Sequence, residues 1–339
     1  MERNAGSAAT NLRRLIIGYR LSQAISVAAQ LGVADLLWNG PQSAEELARR
    51  TGTHPRSLYR VLRLLASEGL LAEEEDDKFR LLPLGEPLRA DIPGSLRHRA
   101  IFDNAAPNWR AWGDLIYSVK TGEPAFNHVW HAGLFDYVNQ DVELAASFNG
   151  LMAAQTTAVS KAVLDAYDFS RIDTLVDVGG GYGALLASVL EAYPSMHGVL
   201  FDLPHVVVEG QSRLAAGGLA TRCTAVGGSF FDAVPEGGSA YVLKFILHDW
   251  DDERCRRILS NCRRVVPVDG RLLIIEAIIP PGNAADYAKY MDLMMLVATE
   301  GGRERTQPEY ATLLGATGFR LTRVVPTTFD VCVIEALVA

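Results

Sequence analysis

The sequence predicts an α/β protein, with a seven-stranded, mostly parallel sheet in its C-terminal half and a mostly helical module before it. Three observations carry that prediction. From Thr174 onward, apolar strand runs alternate with helical segments, the pattern of a parallel sheet covered by helices on both faces. The stretch VDVGGGYGAL, residues 176–185, is a strand that enters a glycine-rich turn and then a helix. The final residues, RLTRVVPTTFDVCVIEALVA, hold two strands and a turn with no room for a crossover helix. The last strand must therefore run antiparallel to its neighbour.

The elements follow in order. The first 40 residues read as helix, with Leu12, Leu15, Ile16, Tyr19 and Ile25 near helical spacing, and NGP at 39–41 ends it. SAEELARRTG opens with a capping box, Ser43 and Glu46, and closes at Gly52. Leu58, Val61, Leu62 and Leu65 mark a second helix, and a charged turn leads to a short strand near Phe79–Leu82. Helix, helix, strand in this order resembles a winged helix. Residues 96–167 read as mostly helical, interrupted by TGEPAFNHVWHAGLF, whose His128 and His131 can face either a pocket or solvent. Strands are expected at 174–178, 199–202, 221–226, 240–244 and 271–277. Helices are expected at about 184–192, 206–215 and 251–266. The expected domains are 1–95, a helical linker at 96–167, and 168–339.

Composition narrows the function. At 339 residues the chain suits about two domains, and 49% hydrophobic with 21% charged residues is an ordinary globular mixture. A net charge of -8 argues against general nucleic-acid binding, so Arg56, Arg60 and Arg63 on the second helix read as a solvated face. Cys223, Cys255, Cys262 and Cys332 form no metal-ligand spacing and read as isolated thiols. The N-terminal stretch MERNAGSAATNLRRL has no apolar signal core, and no apolar run reaches membrane-spanning length. A cytoplasmic enzyme is expected, with no membrane or nucleic-acid partner.

The glycine turn leaves its ligand open. Gly179, Gly181 and Ala184 satisfy the dinucleotide pattern G-x-G-x-x-A, and Asp202 stands about 20 residues on, where a ribose-binding acid is wanted. S-adenosylmethionine (SAM) also presents a ribose diol, and glycines at 179, 181 and 183 let the backbone approach it closely. A nicotinamide-dependent oxidoreductase explains these residues, but not their late position in the chain or the final hairpin.

LVDVGGGYG, FDLPHV, LKFILHDWDDE, GGRERT and the closing hairpin stand in one order and spacing over nearly the whole chain. In these motifs the chain resembles the plant-type small-molecule O-methyltransferases, the caffeate and hydroxyindole O-methyltransferase family with its bacterial antibiotic-pathway members. The resemblance implies a class I SAM-methyltransferase Rossmann-like domain behind a winged-helix dimerisation domain, and hence a homodimer with no metal. It implies SAM contacts from Gly179, Gly181, Asp202, Leu203, Phe230 and Lys244. Ser229 stands where the family usually has an aspartate, a shorter and uncharged acceptor for the adenine amino group. It places Phe148, Met152, Trp250, Met295 and Thr299 around an aromatic acceptor in a pocket lined by the linker region.

A phenol, with a pKa near ~10, needs a general base as its new bond forms. His248 follows the fourth strand at its carboxyl end, where open α/β sheets place ligands, and it matches the family base. A histidine base needs a partner for its ring, and Glu276 and Glu304 match the family's carboxylates. Glu276 ends an apolar strand, a poor place for an idle charge, whereas Glu304 lies in a polar loop where simple exposure is the plain reading. Asp251 reads as a helix cap. The expected reaction is methyl transfer to a phenolic hydroxyl of a small aromatic secondary metabolite. The alternatives are a SAM-binding member with diverged chemistry, the oxidoreductase, and a winged-helix DNA-binding regulator.

Overall fold

Continuous apolar runs, buried on both faces, build the main sheet. The computed structural model describes residues 7–339, so the part of the expected N-terminal helix at residues 1–6 lies outside the described residues. Three short strands come first: β1 (Gln42–Ser43), β2 (Leu71–Glu73) and β3 (Lys78–Leu81). Seven follow: β4 (Thr174–Val178), β5 (His197–Asp202), β6 (Cys223–Gly227), β7 (Ala240–Lys244), β8 (Arg271–Glu276), β9 (Phe319–Pro326) and β10 (Cys332–Val338). The larger sheet runs β6-β5-β4-β7-β8-β10-β9. β4 through β8 pair in parallel, and β10 is antiparallel to both β8 and β9. Successive residues feed opposite cores: Leu175, Val242, Leu273 and Ile275 pack on one face, and Val176, Leu243, Leu272 and Ile274 on the other.

The strand order reverses at β4, which pairs with β5 on one side and β7 on the other. In open α/β sheets that point leaves a crevice at the carboxyl ends, where ligands bind. The glycine turn leaves β4 there, and the segment carrying His248 leaves β7 beside it.

The chain divides into two compact units. One holds the chain up to Arg110 together with Phe135–Gln155; the other holds Ala111–Leu134 and Thr156–Ala339. The helical linker expected at 96–167 is thus shared between them. In the first unit, the helix expected over 40 residues is three helices, Ala8–Ile16, Tyr19–Gln30 and Val33–Leu37. The last break falls at Gly32, whose φ of 65° is readily adopted by glycine alone. The capping box at Ser43 forms as expected, and the helix Pro55–Ser67 buries Leu58, Leu62 and Leu65. β2 and β3 form the wing, and β1 pairs with β3, a strand too short for alternation to reveal.

Candidate active site

The His248 side grows from β8. Its four central residues are fully buried aliphatics, and Glu276 ends the strand with no exposed surface. One carboxylate oxygen, Oε1, accepts the backbone N–H groups of Ile246, Leu247 and His248 at 3.0, 2.6 and 3.2 Å. The other, Oε2, accepts the hydroxyl of Tyr310. The three N–H groups converge after Phe245, which sits at φ 54°. That left-handed conformation costs a non-glycine residue about 1–3 kcal/mol and persists only where its surroundings fix it. Here the Phe245 ring stacks on His248, centroids 5.4 Å apart, and the Lys244 ammonium lies 4.8 Å from the Phe245 ring centroid.

His248 lies in the short turn Leu247–Asp249 and is 7% exposed. Its Nδ1 is 2.8 Å from Oε1 of Glu304, and its Nε2 is 3.6 Å from Oδ1 of Asp249. A carboxylate at Nδ1 accepts the proton there, so the neutral ring keeps its lone pair on Nε2. Burial opposes a charged ring, but the carboxylates of Asp249, Glu304 and Glu276 outweigh it and raise its pKa to about 9.

Of the two expected ring partners, Glu304 alone touches the ring. Glu276 holds the backbone that carries it, a difference in role that follows from its place at the strand end. Glu304 is 3% exposed despite its polar loop. Burial raises its pKa, and its Oε2 has no partner. The loop is buried because its neighbours tie it down. The N–H of Arg303 donates to the carbonyl of His248 at 2.8 Å. The fully buried Arg305 donates to the carbonyls of Leu247 and Trp250 at 2.9 and 3.0 Å and pairs with Asp252 at 2.8 Å. A side chain at Gly302 would place its Cβ 2.6 Å from that same His248 carbonyl oxygen. Asp251 caps the next helix as expected, accepting from the N–H of Arg254.

The cofactor side is more open. Gly179 and Gly181 take φ values of 72° and 58°, and a Cβ on Gly179 would lie 2.5 Å from Ile246 and 3.4 Å from Phe230. Asp202 accepts the N–H groups of Gly181 and Leu203, both at 2.7 Å, one on each oxygen. Each oxygen keeps a lone pair for a ribose hydroxyl. Leu203 stands 46% exposed beside it. Ser229 accepts the Phe231 N–H at 3.2 Å and so shapes the turn after β6. Trp250 lies edge-on to Phe231 and Phe230, at 4.9 and 6.4 Å, which groups it with the rings of the cofactor side. Lys244 is half-buried and donates to Thr156 at 3.4 Å; burial lowers its pKa against the pull of Asp177.

Sequence reasoning missed Asp177. It faces the same side of β4 as Leu175, is 1% exposed, and has no partner on either oxygen. Burial raises its pKa to about 7. An orphaned buried carboxylate calls for a cation, and SAM carries an ammonium on its amino-acid head. With the close approach at Gly179 and the ribose acceptor at Asp202, the residues present fit SAM. An acid inside the buried strand TLVDV was the readable signal. Arg305 and Tyr310 carried none.

Of the residues expected around an acceptor, two lie in the first unit and three in the second. In the first, Phe148 packs on Phe102 and Phe135 at 5.1 and 5.9 Å, and Met152 is 38% exposed. In the second, Met295 is buried, and Thr299 donates its hydroxyl to the Met295 carbonyl at 2.8 Å. His128 bonds Asp114 at 2.7 Å and stacks on Tyr117. Among the described residues, no His, Cys, Asp or Glu cluster could hold a metal, and no helix is long and apolar enough to cross a membrane.

Comparison with known proteins agrees with this geometry. Residues 112–320 match the model of the O-methyltransferase domain, and residues 13–86 that of the O-methyltransferase dimerisation domain. The chain is 44% identical to the phenazine O-methyltransferase PhzM of Lysobacter antibioticus, over 96% of this chain and 95% of the relative. It is 35% identical to the 8-amino-8-demethylriboflavin N,N-dimethyltransferase of Streptomyces davaonensis, over 97% of this chain and 95% of the relative. CalO1, a methyltransferase of calicheamicin biosynthesis solved with bound S-adenosylhomocysteine (SAH), superposes with a TM-score of 0.90 at 38% identity, covering 100% of both chains. A cradle fit for SAM, a buried histidine at the sheet's switch point and these relatives lead to one assignment: the chain belongs to the SAM-dependent O-methyltransferase family whose members act on secondary metabolites.

Proposed function

We propose that the protein transfers a methyl group from SAM to a phenolic hydroxyl of a small aromatic metabolite, with His248 as general base. The observation that carries this reading is the buried His248–Glu304 pair, which keeps the ring's lone pair on Nε2. Gly179, Gly181, Asp202, Leu203, Ser229, Phe230 and Lys244 would hold the cofactor, with Asp177 at its ammonium. Bound SAM supplies a methyl group already activated by its sulfonium charge. Nε2 accepts the phenol proton as the new C–O bond forms, and Glu304 stabilises the resulting imidazolium. Trp250, Met295 and Thr299, all in the second unit, would line the acceptor site. The exposed apolar side chains Leu12, Leu15, Ile16 and Tyr19, with the dimerisation-domain match, support a homodimer.

The test is His248→Ala, assayed with labelled SAM on the fastest acceptor from a panel of hydroxyphenazines, catechols and naphthols. Turnover falls about 10²-fold or more while SAH affinity holds. Near-normal turnover removes His248 from the chemistry. In the wild type, the base must be neutral to act, so kcat/KM rises with pH through about 9. The riboflavin-type relative supports a second reading, an amine acceptor. An amine whose lone pair is free needs no base before attack, so that reading expects His248→Ala to be mild.

A further inference from the structure

Tyr310 takes no part in this chemistry, yet its hydroxyl ends on the carboxylate that holds the histidine turn. It lies in the helix Gln307–Gly315, is fully buried, and donates to Oε2 of Glu276. Phenylalanine would fill nearly the same volume there, so packing alone does not account for the hydroxyl. Burial, and then the charge of Glu276, push the Tyr310 pKa well above its ordinary value, which keeps the hydroxyl a donor.

The geometry extends from there to the base. With Oε2 occupied by Tyr310 and Oε1 by three converging N–H groups, the Glu276 carboxylate is held at both ends. Those N–H groups belong to Ile246, Leu247 and His248, the turn that follows the left-handed Phe245. Rotating the carboxylate would release all three and free the turn on which the imidazole stands. We propose that Tyr310 is a positioning residue for methyl transfer: it locks the Glu276 carboxylate and thereby sets the direction of His248 Nε2. The proposal rests on the reading of His248 as base.

Charged groups from several elements bear on the ring and are part of the test. Asp249 and Glu304 face His248, Glu276 lies behind its backbone, Asp292 accepts the Glu304 N–H, and Arg305 reaches the Leu247 carbonyl. Tyr310→Phe leaves Glu276 Oε2 buried without a donor, so the carboxylate turns from the three N–H groups and away from its place behind the ring. Less negative charge beside the ring lowers the His248 pKa.

The experiment compares wild type, Tyr310→Phe, His248→Ala and the double variant with labelled SAM and the same panel-selected phenol. Titration with SAH and thermal melting control for folding. The expected result for Tyr310→Phe is a high-pH plateau lower by about ten-fold, as a small misplacement of a catalytic group produces. The acid limb of the pH profile moves to lower pH, and SAH affinity is unchanged. In the His248→Ala background, Tyr310→Phe changes turnover less than about two-fold, because its effect passes through the ring. An unmoved limb and plateau in folded Tyr310→Phe overturn the proposal, as does an equal loss in the His248→Ala background. If His248→Ala alone keeps normal turnover, the base reading fails and this proposal fails with it, which the single variant distinguishes. Should Tyr310→Phe not melt cooperatively, Glu276→Gln carries the test. Its amide oxygen still accepts the three N–H groups while the carboxylate's bond from Tyr310 is lost, and the high-pH plateau must again fall; an unchanged plateau overturns the proposal.

Discussion

Asp177, in β4, is buried with neither carboxylate oxygen partnered, whereas Glu276, at the end of β8, is buried with both oxygens filled by backbone N–H groups and Tyr310. Both acids stand at the carboxyl ends of one sheet. The difference separates two uses of a buried charge. Around His248 the hydroxyl of Tyr310, the guanidinium of Arg305 and four backbone N–H groups are spent inside the protein, which holds the turn before any ligand arrives. At the glycine turn a buried carboxylate is left without a hydrogen-bond partner, which our reading gives to the ammonium of SAM.

That contrast can be broken in three places. The largest effect belongs to the His248 side. Arg305→Leu leaves the carbonyls of Leu247 and Trp250 without their buried donor, while Asp252 keeps Arg303, and should destabilise the fold by roughly 1–3 kcal/mol for each carbonyl left unpaired. Calorimetric melting reads this directly, and a melting temperature equal to that of the wild type would show that the His248 side is not held as described. Asp177→Asn should act in the opposite sense. Its folded pKa of about 7 lies above the ordinary value, so the carboxylate opposes folding increasingly as pH rises from 4 to 7. The amide removes that opposition. The variant should melt higher than wild type at pH 8, with little difference at pH 4, while SAH binding measured by titration calorimetry weakens about ten-fold. Loss of stability together with affinity would make Asp177 a structural group like Glu276. The smallest effect is expected at Ser229. An aspartate there can still accept the Phe231 N–H and adds a charged acceptor, so Ser229→Asp should hold SAH affinity or tighten it a few-fold. A marked loss would mean that the turn after β6 does not face the adenine.

The same contrast sorts what the sequence revealed. The glycine turn, Asp202, His248 and the antiparallel final hairpin are short-range patterns, and all were legible from spacing and motif. So were the two capping residues, Ser43 and Asp251, because a cap is a contact between residues three apart. Glu304 was harder. Its loop is polar, and its burial comes from Arg303, Arg305 and Gly302 closing on the His248 turn far away in sequence. Tyr310 was invisible for the same reason: nothing near QPEYATLL says that its hydroxyl will meet the end of β8. Glu276 stands out in the sequence as a charge in a dry strand, but its bonds go to the backbone beneath the ring and to Tyr310, not to the ring. The broken N-terminal helix was missed because Gly18 and Gly32 interrupt a periodicity that continues on both sides.

β10 has a consequence for the order in which the protein is assembled. It inserts between β8 and β9, and Cys332 pairs with Glu276 itself. During synthesis the glycine turn and its parallel neighbours β4, β5 and β7 emerge early and can pair as they leave the ribosome. β8 keeps an open edge until β10 arrives, and the helix with Tyr310 must arrive before that. The cofactor cradle can therefore form well before the turn that carries His248 is fully held. A nascent chain should hold its cradle before it can carry out the chemistry.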